Sequence, residues 1–413
     1  MRILFLTQVL PYPLDAGPKT RAYFTLRYLA QRHEVTLLSF ARPSDTDAAL
    51  KHLHACCHAV HTVPMPRSPL RDAWHLLRSL PGATPFLIAR DWVPAMAGEI
   101  VRRLATTRFA AIHADQLWMA PYALHARAVA GSGPKPALIL DQHNAVFQIP
   151  RRLAAQEPNG LKRALLTLEE RKLALYETDV CWRFDRVVWV TAEDRAALEE
   201  RAGRPWEPTR ATIIPICVDP TARPPLIRQP EAHRVTFLGG LHWPPNLEGV
   251  LWFLRAVWPE VVVRAPAARL TIIGKVAADA RALAEAVAAA PGQVEMTGYV
   301  EDPAPYLAET AAFIVPLHAG GGMRVKIVDA WSWGLPIVAT SIGAEGIRSG
   351  DGEDILIADT APAFAGAVVR LLTDRALAER LGRQGRLTVE RAYDWRTVYA
   401  AWDAVYAGIE AAP

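Results

Sequence analysis

Short runs of β-branched and large apolar residues alternate along this chain with longer stretches in which apolar positions recur at helical spacing. In the first half the runs are Ile3–Leu6, Val35–Ser39, Ala111–Ala114, Leu138–Asp141, Val187–Thr191 and Thr212–Ile216. In the second half they are Val235–Gly239, Leu270–Gly274, Val294–Thr297, Ala312–Val315, Ile337–Ala339 and Ile355–Ile357. Strands that alternate with helices in this way predict parallel sheets with helices on both faces, so the expected class is α/β with two doubly wound, Rossmann-like sheets. Between the halves, Asp219–His233 carries Pro220, Pro224, Pro225 and Pro230, which break regular structure and mark a linker. The boundaries that follow are 1–218 and 219–394, with 395–413 as a terminal segment, helical over Trp395–Ile409, that packs back on the first domain.

Composition supports this division. At 413 residues the chain is longer than one core usually grows, and 51% hydrophobic content supplies two cores. Forty-six basic residues against 42 acidic ones leave a net charge of +4, too little to argue for nucleic acid. It suits an anionic substrate or an anionic membrane surface equally well. The four cysteines form no C-x-x-C pair, so a disulfide scaffold is not expected. His52, His54, Cys56, Cys57, His58 and His61 crowd together, and the tract reads either as a metal site or as a partly exposed helix. Met1–Leu6 lacks the cleavage site of a signal peptide and reads as a first strand. No apolar run is long enough to span a bilayer. A reducing cytoplasm fits these features.

Ligands of open parallel sheets bind beyond the carboxyl ends of the strands, so the loops that follow the strands come next. Pro316-Leu317-His318-Ala319-Gly320-Gly321-Gly322-Met323-Arg324-Val325-Lys326 leads into a helix that ends near Trp333 and Gly334. Its glycines admit close approach of a ligand to the backbone, and the helix start offers unpaired N–H groups to an anion. Arg324 and Lys326 oppose that helix dipole, an arrangement that makes sense if an anion binds both. Asp329, among apolar neighbours, needs hydrogen-bond partners. A ribose diol is one solution and a local pair with Lys326 is the other. Gly239-Gly240-Leu241-His242-Trp243-Pro244-Pro245-Asn246 is a second glycine loop, with Asn246 placed to cap the next helix. No G-x-G-x-x-G is present, which makes a nicotinamide or flavin enzyme a poor reading.

The run Gly320–Ala330, the segments Gly334–Thr340 and Gly343–Gly346, the loop Gly298–Asp302 and the loop 239–246 together resemble the donor domain of family 4 glycosyltransferases, which have the GT-B architecture. Pro11-Tyr12-Pro13 with Gly17 and Arg21, and Asp141-Gln142-His143-Asn144, extend the likeness to the first half. It is strongest to sugar transferases of bacterial exopolysaccharide clusters. The resemblance implies two Rossmann-like domains facing each other across a cleft. It implies a nucleotide-sugar donor, a glycan, lipid-linked or small-molecule acceptor, no cofactor and no metal, and a place in the cytoplasm, peripheral at the inner face of the plasma membrane. Arg324 and Lys326 would grip the donor diphosphate, Asp329 the ribose, and Tyr299 with Val300 would border the base. Gly240, Asn246, Gly321, Gly322, Met323 and Glu345 would complete the donor site, with Gly17 beside the diphosphate and His143 facing the transferred sugar. Asp115 and Asn144 would serve the acceptor, although Asp115 reads equally well as a helix cap, and Glu345 as a loop cap. Family members often carry two glutamates eight positions apart; here Gly321 and Asp329 stand in their places.

The expected reaction is metal-independent transfer with retention at the anomeric carbon. Asp45-Thr46-Asp47 contains an Asp-x-Asp pair, but helix capping explains it more simply. A sugar-nucleotide epimerase or a glycan phosphorylase shares this architecture, and a catalytically silent nucleotide-sugar-binding partner is a third reading.

Overall fold

The computed structural model describes residues 1–131, 133–227, 229, 233–276 and 280–409; Pro230 of the expected linker and the last four positions of the terminal segment lie outside them. The chain forms two compact units, Met1–Cys217 joined by the segment from Trp395 onward, and Val218–Asp394.

The first unit is built on seven parallel strands: β1 (Arg2–Thr7), β2 (Glu34–Ala41), β3 (Ala59–Pro64), β4 (Ala111–Asp115), β5 (Ala137–Gln142), β6 (Arg186–Trp189) and β7 (Ala211–Ile213). Their order is β3-β2-β1-β4-β5-β6-β7. Both faces of this sheet are covered: Leu4 and Leu6 enter one apolar cluster, while Ile3 and Phe5 enter the other. A strand buried on both sides must read as a continuous apolar run, which is why β1 stands out in the sequence. Edge strand β3 is absent from the expected runs because only Val60 and Val63 are buried there.

The His/Cys tract spans helix Asp47–Cys56 and β3. His52 stacks on Tyr12 and bonds to the Tyr23 hydroxyl at 2.9 Å, and the tract brings no three metal-ligand groups together among the described residues. The Asp-x-Asp pair is structural: Asp45 accepts from Arg42 N, and Thr46 caps helix Asp47–Cys56 through Ala49 N. The terminal segment forms two short helices, Trp395–Val398 and Ala401–Tyr406, rather than the single expected one. Their Trp395, Tyr399, Trp402 and Tyr406 join the same apolar cluster as Ile3 and Phe5.

The second unit carries six parallel strands: β8 (Arg234–Leu238), β9 (Arg269–Ile273), β10 (Gln293–Gly298), β11 (Thr310–Val315), β12 (Ile337–Ala339) and β13 (Leu356–Ile357), in the order β10-β9-β8-β11-β12-β13. Strand order reverses between β1 and β4 in one unit and between β8 and β11 in the other. A crevice opens at the carboxyl ends of such strand pairs. Among the described residues no helix is long and apolar enough to cross a membrane.

Candidate active site

At the switch point of the second unit, the loop leaving β11 turns through Gly320 (φ 123°) and Gly322 (φ 71°), conformations that side chains with a Cβ rarely adopt. The turn delivers Arg324 to the N-cap of helix Val325–Ser332. The buried guanidinium folds over the turn: Nη1 donates to the carbonyls of Gly321 (2.6 Å) and Gly322 (2.9 Å), and Nη2 lies 3.6 Å from the Glu345 carboxylate. Glu345 itself ends the short turn Ile342–Ala344.

Lys326 points back toward the loop that leaves β8. Its Nζ donates to Asn246 Oδ1 at 2.7 Å and sits 4.6 Å from the centre of the Phe237 ring. A Cβ on Gly239 would lie 2.9 Å from that nitrogen, so glycine there gives the ammonium its room. Burial, with the Arg324 charge beside it, pulls Lys326 down to about 7. Asn246 does not cap its helix, Pro244–Trp252, whose N-cap is Trp243. Its amide instead bridges the two loops, donating to Gly240 O at 2.8 Å while accepting from Lys326.

Asp329 forms neither the local lysine pair nor an isolated contact. Arg223, from the proline-rich linker, donates to Asp329 Oδ1 at 2.5 Å. Burial raises the Asp329 carboxyl above the ordinary range and Arg223 opposes the shift. Met323 is buried behind the turn. Tyr299 and Val300 follow β10, with Lys275 Nζ 5.0 Å above the exposed Tyr299 ring; Gly274 N donates to Gly298 O and Leu241 N to Lys275 O, tying the ends of β8, β9 and β10 together.

A separate constellation lies at the switch point of the first unit. Parallel register sets Asp115, the last residue of β4, beside Asp141 of β5. Asp115 caps no helix: Oδ1 meets His143 Nε2 at 2.9 Å. Buried Arg21 donates to both oxygens of Asp141 at 2.9 Å, and also to Pro215 O (2.8 Å) and the Tyr399 hydroxyl (3.2 Å). Burial alone would raise Asp141, but Arg21 and the His113 and His143 side chains beside it together outweigh burial and hold the carboxyl well below the carboxylate range. Gln116 adopts φ 71°, a strained conformation for a side chain of this kind and one that clusters at functional sites. Gly17 opens helix Gly17–Ala30 after the loop that leaves β1, and Asn144 is half-buried beside His143.

Asp115, Asp141 and His143 place three ligand-type atoms within 4.8 Å of one another. With both Asp141 oxygens taken by Arg21, and Asp115 and His143 bonded to each other, the group is a poor set for a divalent cation. An oriented imidazole beside a carboxylate is what the group offers.

Two further carboxylates, absent from the sequence reading, fix the His143 loop from beneath. Glu177, on helix Gly160–Trp182, accepts from Val146 N (2.7 Å), Phe147 N (3.1 Å) and the Gln142 amide. Asp194 accepts from Ala145 N at 2.8 Å. Glu177 has no signal in sequence, because an acidic residue within a long helix ordinarily faces water, and Asp194, three residues after the N-cap Thr191, reads there only as a helix-capping residue.

The model of the family described as Glycosyltransferase Family 4 matches residues 16–222, and that of Glycosyl transferases group 1 matches residues 232–374. A 44.6 kDa protein of the cps region of Klebsiella pneumoniae is 27% identical over 173 residues, 40% of this chain and 44% of that protein. The lipopolysaccharide core biosynthesis glycosyltransferase LpsE of Rhizobium meliloti (strain 1021) is 29% identical over 100 residues, 24% of this chain and 29% of that one. The chain thus spans less than half the length of the curated relatives it matches. HepE of Anabaena, solved with UDP and glucose, has the same fold, with a TM-score of 0.70, 13% identity and coverage of 99% of this chain and 100% of that one.

Proposed function

Because the chain belongs to glycosyltransferase family 4, we propose that it moves a sugar from a nucleoside-diphosphate sugar to a hydroxyl of a glycan, lipid-linked or small-molecule acceptor in bacterial polysaccharide or lipopolysaccharide assembly. The observation that carries this reading is the convergence of Arg324, Lys326, two glycine loops and a helix start at one switch point. An anion is the ligand such a site stabilises, and a diphosphate is large enough to engage all of it.

In this reading the second unit holds the donor. Arg324, Lys326 and the N-terminus of helix Val325–Ser332 neutralise the charge that develops on the leaving diphosphate, which is the task a metal would otherwise perform. Asp329 takes the ribose hydroxyls, Tyr299 and Val300 border the base, and Glu345 accepts from a sugar hydroxyl. The first unit holds the acceptor, with His143, oriented by Asp115, steadying the transferred sugar. The acceptor hydroxyl attacks the anomeric carbon on the face the phosphate leaves. Its proton passes to the departing phosphate oxygen, so configuration is retained without a covalent enzyme adduct. We place the protein in the cytoplasm, peripheral to an anionic membrane surface.

HepE was solved with UDP and glucose, which makes UDP-sugars the first donors to test, followed by GDP-, ADP- and TDP-sugars. A bound donor raises the melting temperature by mass action. Slow donor hydrolysis, followed by NMR before the free sugar mutarotates, is expected to release the donor's own anomer and to persist in EDTA. An inverted first product overturns the mechanism, and neither binding nor turnover with any of these donors overturns the activity.

A further inference from the structure

Gln116, the first residue beyond β4, holds φ 71° and ψ 160°. Residues with a Cβ rarely enter this region, which belongs almost wholly to glycine, and a chain that keeps one there forgoes stability. Two backbone bonds fix the position: Gln116 N donates to Asp141 O at 2.9 Å, and Gln116 O accepts from Met119 N at 3.1 Å. Glycine would make both bonds without the strain. The glutamine side chain, rather than the turn, is therefore what the strained position holds in place.

That residue is only 5% exposed, and its Nε2 donates to Asp115 Oδ2 at 3.3 Å. The other oxygen, Oδ1, meets His143 Nε2 at 2.9 Å, and among the described residues the Asp115 carboxylate has no further hydrogen-bond partner. Asp115 is fully buried, so without the Gln116 amide Oδ2 has no donor and the carboxylate can turn away from the ring. A carboxylate only accepts, so Nε2 carries the hydrogen of the pair with His143. Asp141 Oδ2, 3.9 Å from the same nitrogen, favours it there too. In the neutral ring Nδ1 is then a lone pair, buried and without a partner among the described residues. An acceptor left so, on a side chain only 7% exposed, is satisfied by a donor that a ligand brings.

We infer that Gln116 is a positioning residue: its amide holds Asp115 so that His143 keeps its hydrogen on Nε2 and offers a bare Nδ1 to a hydroxyl of the transferred sugar. The strained backbone at Gln116 is the cost in stability of that orientation. The ligand group selected is a hydroxyl that donates, since a phosphate or carboxylate oxygen would meet the lone pair with another. This inference rests on the reading of His143 as the group that steadies the sugar, and it assigns the fixing of that group to a residue outside the pair itself.

The test compares the parent with Gln116→Ala, which removes the amide and keeps the strain, and Gln116→Gly, which removes both. Proton–nitrogen NMR of the full chain with isotope-labelled histidine, at about pH 8.5, reads the tautomer, and loss of a signal in His143→Gln assigns it. In the parent, Nε2 is expected to show the shift of a protonated nitrogen and Nδ1 that of a bare one. In both variants the tautomers are expected to mix, and turnover in donor hydrolysis to fall at least about tenfold with KM for the donor little changed. The glycine variant is expected to melt about 2–4 °C above the alanine variant without recovering either signal. A His143 tautomer that is the same in all three proteins, or a parent ring with hydrogen on both nitrogens, overturns the inference. So does recovery of turnover in the glycine variant, which would make the backbone and not the amide the cause. The NMR readout needs no substrate and keeps the two readings apart. The expected tautomer change in a protein that neither binds nor hydrolyses UDP-sugars removes the transferase reading, and donor turnover with an unmoved tautomer removes only the role of Gln116.

Discussion

The side chain most exposed to a charge change is Lys326. In the free protein burial and Arg324 bring its ammonium down to about 7, near neutrality. A bound diphosphate favours the charged form, so binding above this value requires uptake of a proton. Nucleoside-diphosphate affinity should therefore be highest below pH 7 and fall as pH rises through 7 to 9. Lys326→Arg, which stays charged, is expected to flatten that slope, while Lys326→Ala and Arg324→Ala each lower affinity by about 1.5–3 kcal/mol at pH 6.5. Calorimetric titration over this range checks it, and an affinity that rises with pH would mean the lysine does not meet the phosphate. The same shift has a cost in stability: the unfolded chain binds the proton more tightly than the folded one between about 7 and 10.5, so folding gains stability as pH rises through that window. The cations and the glycines around them were legible in sequence because their types are unusual at a helix start. Their partners were not. Arg223 reaches Asp329 from a linker whose prolines hide any pattern, and Asn246, which looks like a cap, is a bridge because Trp243 already stands at the helix boundary.

Elements follow the same division. Strands β1, β4, β5, β8, β9 and β11 were readable because burial on both faces demands uninterrupted apolar runs; β3, where histidine and threonine interrupt the two buried valines, escaped, although the other edge strands β7, β10 and β13 did not. The loop that carries His143 was readable as a position, but what fixes it was not. Its N–H groups at Ala145, Val146 and Phe147 end on Asp194 and Glu177, contributed by two different helices. Glu177 is fully buried, and burial pushes its carboxyl up to about 8 against the hydrogen bonds that favour ionisation. Between roughly pH 4.5 and 8 the folded protein then holds a proton that the unfolded chain releases, so this group makes the protein less stable as pH rises across that window. Glu177→Gln keeps an acceptor of similar shape and removes the titration. Relative to the parent, this variant should gain urea stability progressively from pH 5 to pH 8, while Glu177→Ala, which strands two backbone donors, should lose about 2–4 kcal/mol at any pH. A gap between Gln variant and parent that does not change over this range would show that Glu177 is held as the anion.

At the scale of the whole chain, two units were expected because length, proline placement and two sets of strand runs all point the same way. What sequence pattern did not convey is how much the first unit depends on the last residues. Trp395, Tyr399, Trp402 and Tyr406 are each at most 4% exposed and pack under the sheet beside Phe5 and His113. They also reach the site: Tyr399 bonds to Arg21 and to Cys217 N, and Tyr406 bonds to His113 Nδ1 at 2.8 Å. Through Arg21, the end of the chain thereby supports Asp141 beside His143. Removing one buried aromatic side chain of this size costs about 3–5 kcal/mol, and a domain is stable by only about 5–15 kcal/mol in total. A chain ending at Asp394 loses all four and leaves their cavity open, so its first unit should lose cooperative unfolding and near-ultraviolet circular dichroism. The second unit, whose strands and proposed donor residues Arg324, Lys326 and Asp329 lie within Val218–Asp394, should keep nucleoside-diphosphate binding. Tyr399→Phe separates packing from hydrogen bonding. It preserves the aromatic ring and removes only the hydroxyl shared by Arg21 and Cys217 N, so it should fold, lose about 1–3 kcal/mol, and lower turnover more than donor affinity. Denaturant titrations of the three proteins, read beside donor binding, decide the matter: a truncated chain that still unfolds cooperatively at the parent's midpoint would show that the terminal segment only covers the first unit and does not complete it.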